Sequence, residues 1–390
     1  MEGRGRSTSI EEVAGSKLAK LEADALRRVL SETERANEAR TSRNGRQLLS
    51  FCCNDYLGLS QHPNVKRAAS KAAEKFGAGA GASRLVTGNH PLYSDLESRL
   101  ARLKNTESSL VFGSGYLANI GIPPVLAGKG DLILADELSH ASMHAGMRAS
   151  NAFTRLFRHN DIADCHRILV EERSKYRHCL VMTEGVFSMD GDRAPLQGLC
   201  DLAEEYDAWV MTDDAHGLGV LGNGRGSAAE AGIAERIPLQ MGTLSKAVGS
   251  YGGFICAAKP VIDLLINRSR SLIYATGLPP ATVAAASAAL EIIETDRELV
   301  NIPMERAKRF TRQLCLPDPE STIVPLLTGT SERALRLSHL LEEEGFLVTA
   351  IRPPTVPDGT ARLRFTFASH HTDEDIDRLV KAVKKRGVLE

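Results

Sequence analysis

The sequence predicts an α/β protein: a large, mostly parallel sheet covered by helices, then a smaller C-terminal α+β unit. Three observations support this. From about residue 108, short β-rich runs alternate with helical stretches, as in a chain of βαβ units. Pro279 and Pro280 then punctuate the chain before an Ala-rich run, Ala281 to Glu294. Beyond it, helices and strands follow one another in a compact mixed order. At roughly 150 residues per domain, 390 residues suggest two or three lobes.

In chain order, Leu18, Leu21, Ala25, Leu26 and Val29 recur at helical spacing, so an amphipathic helix is predicted within Leu18–Arg40. The strand-like runs are Ser109–Phe112, Leu132–Ala135, Leu180–Thr183, Trp209–Thr212 and Phe254–Ala257. Their alternation with helices predicts a sheet covered on both faces. Ala281–Glu294 reads as a long helix bridging two lobes. After it come a helix (Met304–Leu314), a strand (Thr322–Leu327), a helix (Glu332–Glu344), two strands (Phe346–Ile351, Arg362–Phe367) and a final helix (Asp373–Lys385). The expected division is an N-terminal helical segment at 1–54 packing near the small domain, a large domain at 55–285 and a small domain at 286–390. Met1–Lys17 carries no recognisable pattern.

Lys plus Arg number 48 and Asp plus Glu 49, a net charge of −1, so no global field draws the chain to nucleic acid or to an anionic membrane. Small molecules are the expected partners. Apolar residues make up 43% and charged residues 25%, the balance of a folded globular chain. The seven cysteines are odd in number, include the adjacent Cys52 and Cys53, and form no C-x-x-C pair. A disulfide scaffold and a zinc ribbon are both disfavoured, and a cytoplasmic location is expected. Charged Glu11–Lys20 stands where a signal peptide would have its apolar core, and no run of about 18 apolar residues occurs.

Some motifs carry little weight. Gly217, Gly219 and Gly222 match G-x-G-x-x-G, but further glycines follow in place of a helix, so a mobile loop is the better reading than a dinucleotide site. His140 and His144, with Asp136 a turn earlier, lack the glutamate of H-E-x-x-H, and no metal is expected. Gly113, Ser114 and Gly115 are too few for a G-x-S-x-G elbow.

One constellation does carry chemistry. Asp213, Asp214 and His216 follow the apolar run Val210–Thr212, at the strand end where ligands bind in open α/β sheets. About thirty residues on, Gly242–Lys246 places a lysine among small and hydroxyl residues. Each alone has a plain alternative, since most lysines are solvated and Asp-Asp pairs often make turns. Together they suit pyridoxal 5'-phosphate, which needs an amine for its aldehyde, an acid at its ring nitrogen and donors for its phosphate. Lys246 and Asp213 fill the first two roles. Ser114, Gly115 and Tyr116, heading the helical stretch Leu117–Val125, offer N–H groups for the phosphate, and Thr243 and Ser245 offer hydroxyls.

These segments resemble the α-oxoamine synthases, a family of fold-type-I pyridoxal-phosphate transferases, over nearly the whole chain. The resemblance rests on N-D-Y-L-G-L (Asn54–Leu59), G-A-G-A-S-R-L-V-T-G (Gly79–Gly88), S-G-Y (Ser114–Tyr116) and D-E-L-S-H-A-S (Asp136–Ser142). It continues in T-E-G-V-F-S-M-D-G-D (Thr183–Asp192), D-D-A-H-G (Asp213–Gly217), G-T-L-S-K (Gly242–Lys246) and Ile351–Arg364. It implies Lys246 as the Schiff-base lysine, Asp213 as the pyridinium partner, His140 stacked on the ring, His216 as a donor to the phenolic oxygen, and Ser188 near that oxygen. Thr243 is implied at the phosphate, Arg352 with Thr355 at the substrate carboxylate, and Asn54 among the substrate contacts. Arg27 resembles an arginine near the acyl substrate, although a solvated helix face accounts for it equally well.

The activity implied is the condensation of L-alanine with an acyl-CoA, pimeloyl-CoA, with loss of CoA and carbon dioxide. Glycine-using relatives share the mechanism, and a non-catalytic binding protein on the same fold is the remote alternative. The resemblance also implies a homodimer with shared active sites, in which Tyr274 and Thr276 of Ser271–Pro280 reach the partner's cofactor phosphate.

Overall fold

The structure, a computed structural model, describes residues 9–37 and 39–389. The chain forms two units: Cys53–Val324 with Thr366–Ile376, and Met1–Cys52 with Pro325–Phe365 and Asp377–Glu390.

The larger unit is built on seven strands: β1 (Ser108–Phe112), β2 (Leu132–Asp136), β3 (Phe153–Phe157), β4 (Cys179–Glu184), β5 (Trp209–Asp213), β6 (Leu239–Thr243) and β7 (Gly253–Ala257). Their order is β1-β7-β6-β5-β4-β2-β3. Only β7 is antiparallel to its neighbours, with Phe254 opposite Val111 on one side and Gly242 on the other. Every residue of β2, β4, β6 and β7 is buried. A sheet covered on both faces has no solvated side, so β2, β4 and β7 are largely apolar up to their ends, while β6 also buries Gln240.

Alternate residues enter opposite layers. Val111, Phe254 and Cys256 pack with Leu96 and Leu100 of the helix Leu92–Leu103 and with Val283, Ala286, Ala289, Leu290 and Ile293 of the helix Pro280–Thr295. Leu110, Phe112 and Ile255 pack on the other face with Met143 and Met147 of the helix Ala141–Ala149. The parallel strands share one carboxyl edge. Asp136, Glu184, Asp213 and Thr243 end β2, β4, β5 and β6 there, and Glu184 pairs in register with Asp213.

In the smaller unit, Thr33–Asn37, Arg40–Arg43, Arg46–Ser50 and Phe346–Leu347 form a four-stranded sheet; Ile323–Gly329, Ala361–Thr366 and Thr349–Ile351 form a three-stranded sheet, all of which belongs to this unit except Ile323, Val324 and Thr366. The helix Ser331–Glu343 buries Ala334, Leu337 and Leu341.

Several sequence expectations need correction. The leading helix is Ile10–Ala23, not Leu18–Arg40; Ser9 and Glu12 close a capping box at its start, and Ala25 turns to a left-handed φ of 53° just beyond its end. None of its residues is buried, so its apolar spacing did not mark a core face. Strands occupy 33–50, where 1–54 was expected to be helical; Asn44 and Gly45, at φ 50° and 75°, make the tight turn between two of them. Residues 286–324 and 366–376 belong to the larger unit, and the Ala-rich helix lies wholly inside it and bridges nothing. The helix expected at Met304–Leu314 runs from Arg297 to Gln313 and contains Pro303. Phe346–Ile351 is two strands in different sheets, broken at Val348. Residues 1–8, part of the patternless Met1–Lys17, lie outside the described residues. No described helix is long and apolar enough to cross a membrane.

Candidate active site

Segments after β1, β2, β5 and β6, with the end of β4, enclose a cavity of about 220 Å³ in the larger unit. Ser114, Gly115, Tyr116, His140, Asp213, His216, Thr243 and Lys246 all line it. Residues spread over more than a hundred positions meet because the strands end on one edge.

Lys246 is half-buried, and its Nζ lies 2.8 Å from His216 Nε2. His216 Nδ1 lies 2.7 Å from the phenol oxygen of the fully buried Tyr56, whose hydroxyl also reaches Asn54 Oδ1 at 3.3 Å. A relay of polar groups therefore backs the lysine. Asp213 is buried, and its carboxylate is held at both oxygens: Oδ1 accepts from the Ala215 N–H at 3.0 Å and Oδ2 from Asn119 Nδ2 at 2.7 Å. Two donors fix an anion here and leave it little freedom to turn.

His140 caps the helix Ala141–Ala149; its Nδ1 accepts from the Ser142 N–H at 3.2 Å and lies 2.6 Å from Ser142 Oγ. Burial lowers its pKa, against the opposing charge of Asp213, so the ring is neutral. Glu184 is fully buried in the cavity wall. Burial first, and then the charge of Asp213, raises its pKa well above the carboxylate range, against the pull of Lys246. Among the described residues its Oε1 has no hydrogen-bond partner, nor has Asn119 Oδ1. Two acids end adjacent strands, and burial favours the protonated form of Glu184.

The neighbouring Asp214 does not line the cavity. It pairs with Lys104 Nζ at 2.8 Å, the two side chains 2% and 1% exposed, and accepts from Ser227 Oγ at 2.6 Å. Gly226, at φ 96°, leaves the space into which this carboxylate packs. Gly253 serves a similar purpose: a Cβ there would lie 2.5 Å from backbone atoms of Ser114 and Gly115. Ser114 Oγ accepts from the Leu117 N–H at 3.1 Å and caps a helix that is Gly115–Gly121, shorter than and offset from the expected Leu117–Val125. Thr243 Oγ1 donates to the Gly252 carbonyl at 2.8 Å and accepts from the Ser245 N–H at 3.2 Å. The glycines from 217 to 226 form a turn-rich loop, and Asp136 pairs with His159, not with His140 and His144.

Other candidates lie elsewhere. Thr276 bridges Ser83 and lines a separate small cavity, and Tyr274 is 71% exposed. Ser188 is not among the lining residues of the main cavity; it occupies the turn between Phe187 and Asp192. In the smaller unit, Arg27 forms an exposed ion pair with Glu22 at 2.9 Å. There too Arg352 donates to the Ala25 carbonyl while its buried Nε has no hydrogen-bond partner among the described residues, and Thr355 Oγ1 accepts from Arg28 at 3.2 Å. The sequence reading gave no role to Tyr56, Asn119, Ser142 or Glu184. Glu184 carried a signal, since like Asp213 it is a carboxylate ending an apolar run; Asn119 carried none.

A family model described as aminotransferase class I and II matches residues 46–383. The chain belongs to that family. Among curated members, the 8-amino-7-oxononanoate synthase of Methylocella silvestris is 59% identical over 88% of this chain and 97% of its own. That of Beijerinckia indica is 55% identical over 96% and 97%. A solved structure, serine palmitoyltransferase from S. paucimobilis with a bound PLP–myriocin aldimine, is 30% identical, covers 97% of this chain and 98% of its own, and superposes with a TM-score of 0.91.

Proposed function

We propose that this member of the family is a pyridoxal-phosphate acyltransferase that condenses L-alanine with pimeloyl-CoA, releasing CoA and carbon dioxide, as in biotin formation. The observation that carries the reading is the convergence of Lys246, His216, Asp213 and His140 on one cavity. Near full-length relatives named 8-amino-7-oxononanoate synthase support the choice of reaction.

The residues fit the cofactor. The cavity offers an amine, a fixed anion and a set of hydroxyls, and its wall holds two buried polar atoms still lacking partners, Glu184 Oε1 and Asn119 Oδ1. Bound there, pyridoxal phosphate supplies an aldehyde that captures amines and a cationic ring that withdraws electrons from the adjacent carbon. Lys246 Nζ would offer the amine and would be the base for the proton on the substrate's Cα. Asp213 holds the proton on the ring nitrogen, because an anion fixed beside a base raises that base's pKa. His216 from the cavity wall, and Ser188 from the turn beyond the lining residues, would hold the cofactor's phenolic oxygen, and His140 would pack against its ring. The raised pKa of Glu184 favours its neutral form, which spares the wall a second negative charge beside Asp213.

Ser114, Gly115, Tyr116, Thr243 and Ser245 would hold the phosphate, joined in a homodimer by Thr276 of the partner subunit. Arg352 with Thr355 grips the amino-acid carboxylate in the planar fork that suits it. Asn54 contacts the substrate and Arg27 the acyl chain. The likeness to serine palmitoyltransferase favours a second reading, transfer of a palmitoyl group to serine. Thiol release from pimeloyl-, succinyl- and palmitoyl-CoA with alanine, glycine or serine decides between them. Alanine with pimeloyl-CoA is the expected pair, and preference for glycine or serine overturns it. Lys246→Ala is expected to lose the cofactor's borohydride-fixed bond to the chain.

A further inference from the structure

We propose that His159 is a positioning residue whose two ring N–H groups pin the segment presenting His140 to the segment presenting Ser188. This rests on the function proposed above, in which those two side chains face the cofactor.

His159 follows β3, and nothing in the catalytic reading uses it. Its Nδ1 lies 3.0 Å from Asp136 Oδ1, on a fully buried carboxylate at the end of β2, four residues before His140. Its Nε2 lies 2.8 Å from Asp192 Oδ2, four residues after Ser188. Carboxylates only accept, and a neutral imidazole has a single N–H, so this double contact requires the imidazolium. Burial opposes that charge, but the hydrogen bonds and charges of Asp136 and Asp192 prevail and push the pKa up to about 10.

Both segments are tightly folded around these contacts. Asp136 Oδ1 also accepts from the Leu138 N–H at 2.8 Å, which curls the chain towards His140. The Phe187 N–H donates to the Asp192 carbonyl at 3.0 Å, closing the turn that carries Ser188, and the Phe187 ring meets the imidazole edge-on at 4.4 Å. Asn160 braces the same carboxylates, its N–H on Asp136 Oδ2 at 2.7 Å and its Nδ2 on Asp192 Oδ2 at 2.8 Å. Glu137 accepts the His159 backbone N–H at 3.1 Å. The two segments come from different strands, and the imidazolium is the cation that joins their acids.

The test uses the full chain with and without cofactor. In His159→Gln an amide has one donor end and one acceptor end, so one carboxylate loses its partner. Amide hydrogen exchange should then quicken in both residues 137–140 and residues 187–192 of the cofactor-free protein. In the loaded enzyme kcat should fall of the order of tenfold to a hundredfold, as misplaced reacting groups do. His159→Lys, which keeps a cation with several N–H groups, should recover part of both effects. Unchanged exchange in either segment, unchanged kcat, or His159→Lys as impaired as His159→Gln overturns the proposal. Should His159→Gln not fold, Asp192→Asn is judged by the same exchange criterion. A wild-type protein lacking a borohydride-fixed cofactor at Lys246 defeats the proposed function, yet leaves the exchange result standing on its own.

Discussion

Asp213 and Asp214 are adjacent carboxylates with opposite fates. The peptide between them turns one into the cavity and the other onto Lys104, so chemistry and stability are divided between neighbours. Asp213→Asn keeps the size and the hydrogen-bonding reach of the side chain but not its charge. It should fold and hold cofactor while kcat falls about a hundredfold or more, the scale of losing a preorganised electrostatic partner; near-normal turnover would contradict the role. Lys104→Met instead strands a buried anion and should cost about 3–5 kcal/mol in urea unfolding, with much of the loss regained in Lys104→Met/Asp214→Leu. A single variant as stable as the parent would show that the pair contributes nothing. The D-D-A-H-G run pointed to this strand end, but which aspartate faced inward depended on Lys104, 110 residues away. Tyr56 was hidden for the same reason: its partner His216 is 160 residues on, and no local spacing records such a contact.

At the scale of elements, the sheet and the start of the helix Gly115–Gly121 meet through β7, where only glycine fits. Gly253→Ala forces the strand from the Ser114–Gly115 backbone and should cost about 1–3 kcal/mol, as overpacking does. It should also weaken cofactor binding, because the displaced backbone belongs to the cavity wall; calorimetric melting and a cofactor titration check both. Strand legibility followed burial. Leu132–Ala135 and Leu180–Thr183 are buried on both sides and stood out as hydrocarbon. Phe153–Phe157 is an edge strand with only Phe157 buried, and its threonine and arginine gave no clear pattern. The leading helix misled for the converse reason, since Leu18 and Leu21 sit at helical spacing and yet are 46% and 39% exposed. Asn44–Gly45, just past the stretch read as helical, is a hairpin signal that the sequence reading did not use.

For the whole molecule, protons tie stability to pH. The pKa of His159 is about 10 in the folded chain against 6.5 ordinarily, because Asp136 and Asp192 favour its charged form, with Glu137 beside it. Its stabilising effect is therefore complete below pH 6.5 and declines as pH rises towards 10. The urea midpoint of the wild type should fall across that interval, and that of His159→Gln should fall less; parallel curves would refute the linkage. The division into two units was foreseen only in outline. The smaller unit draws on three separate stretches of chain, and linear punctuation such as Pro279-Pro280 cannot signal a unit that the chain enters, leaves and re-enters.

The shared carboxyl edge of the parallel strands has one more consequence. Most of the cavity's polar side chains are borne by strand tips, the connections just past them and the first turns of the helices that follow, whereas the hydrocarbon that stabilises the unit lies within the strands and helices. Connections grafted from a relative with different appetites should thus transfer chemistry without rebuilding the interior, and this architecture is suited to such exchange.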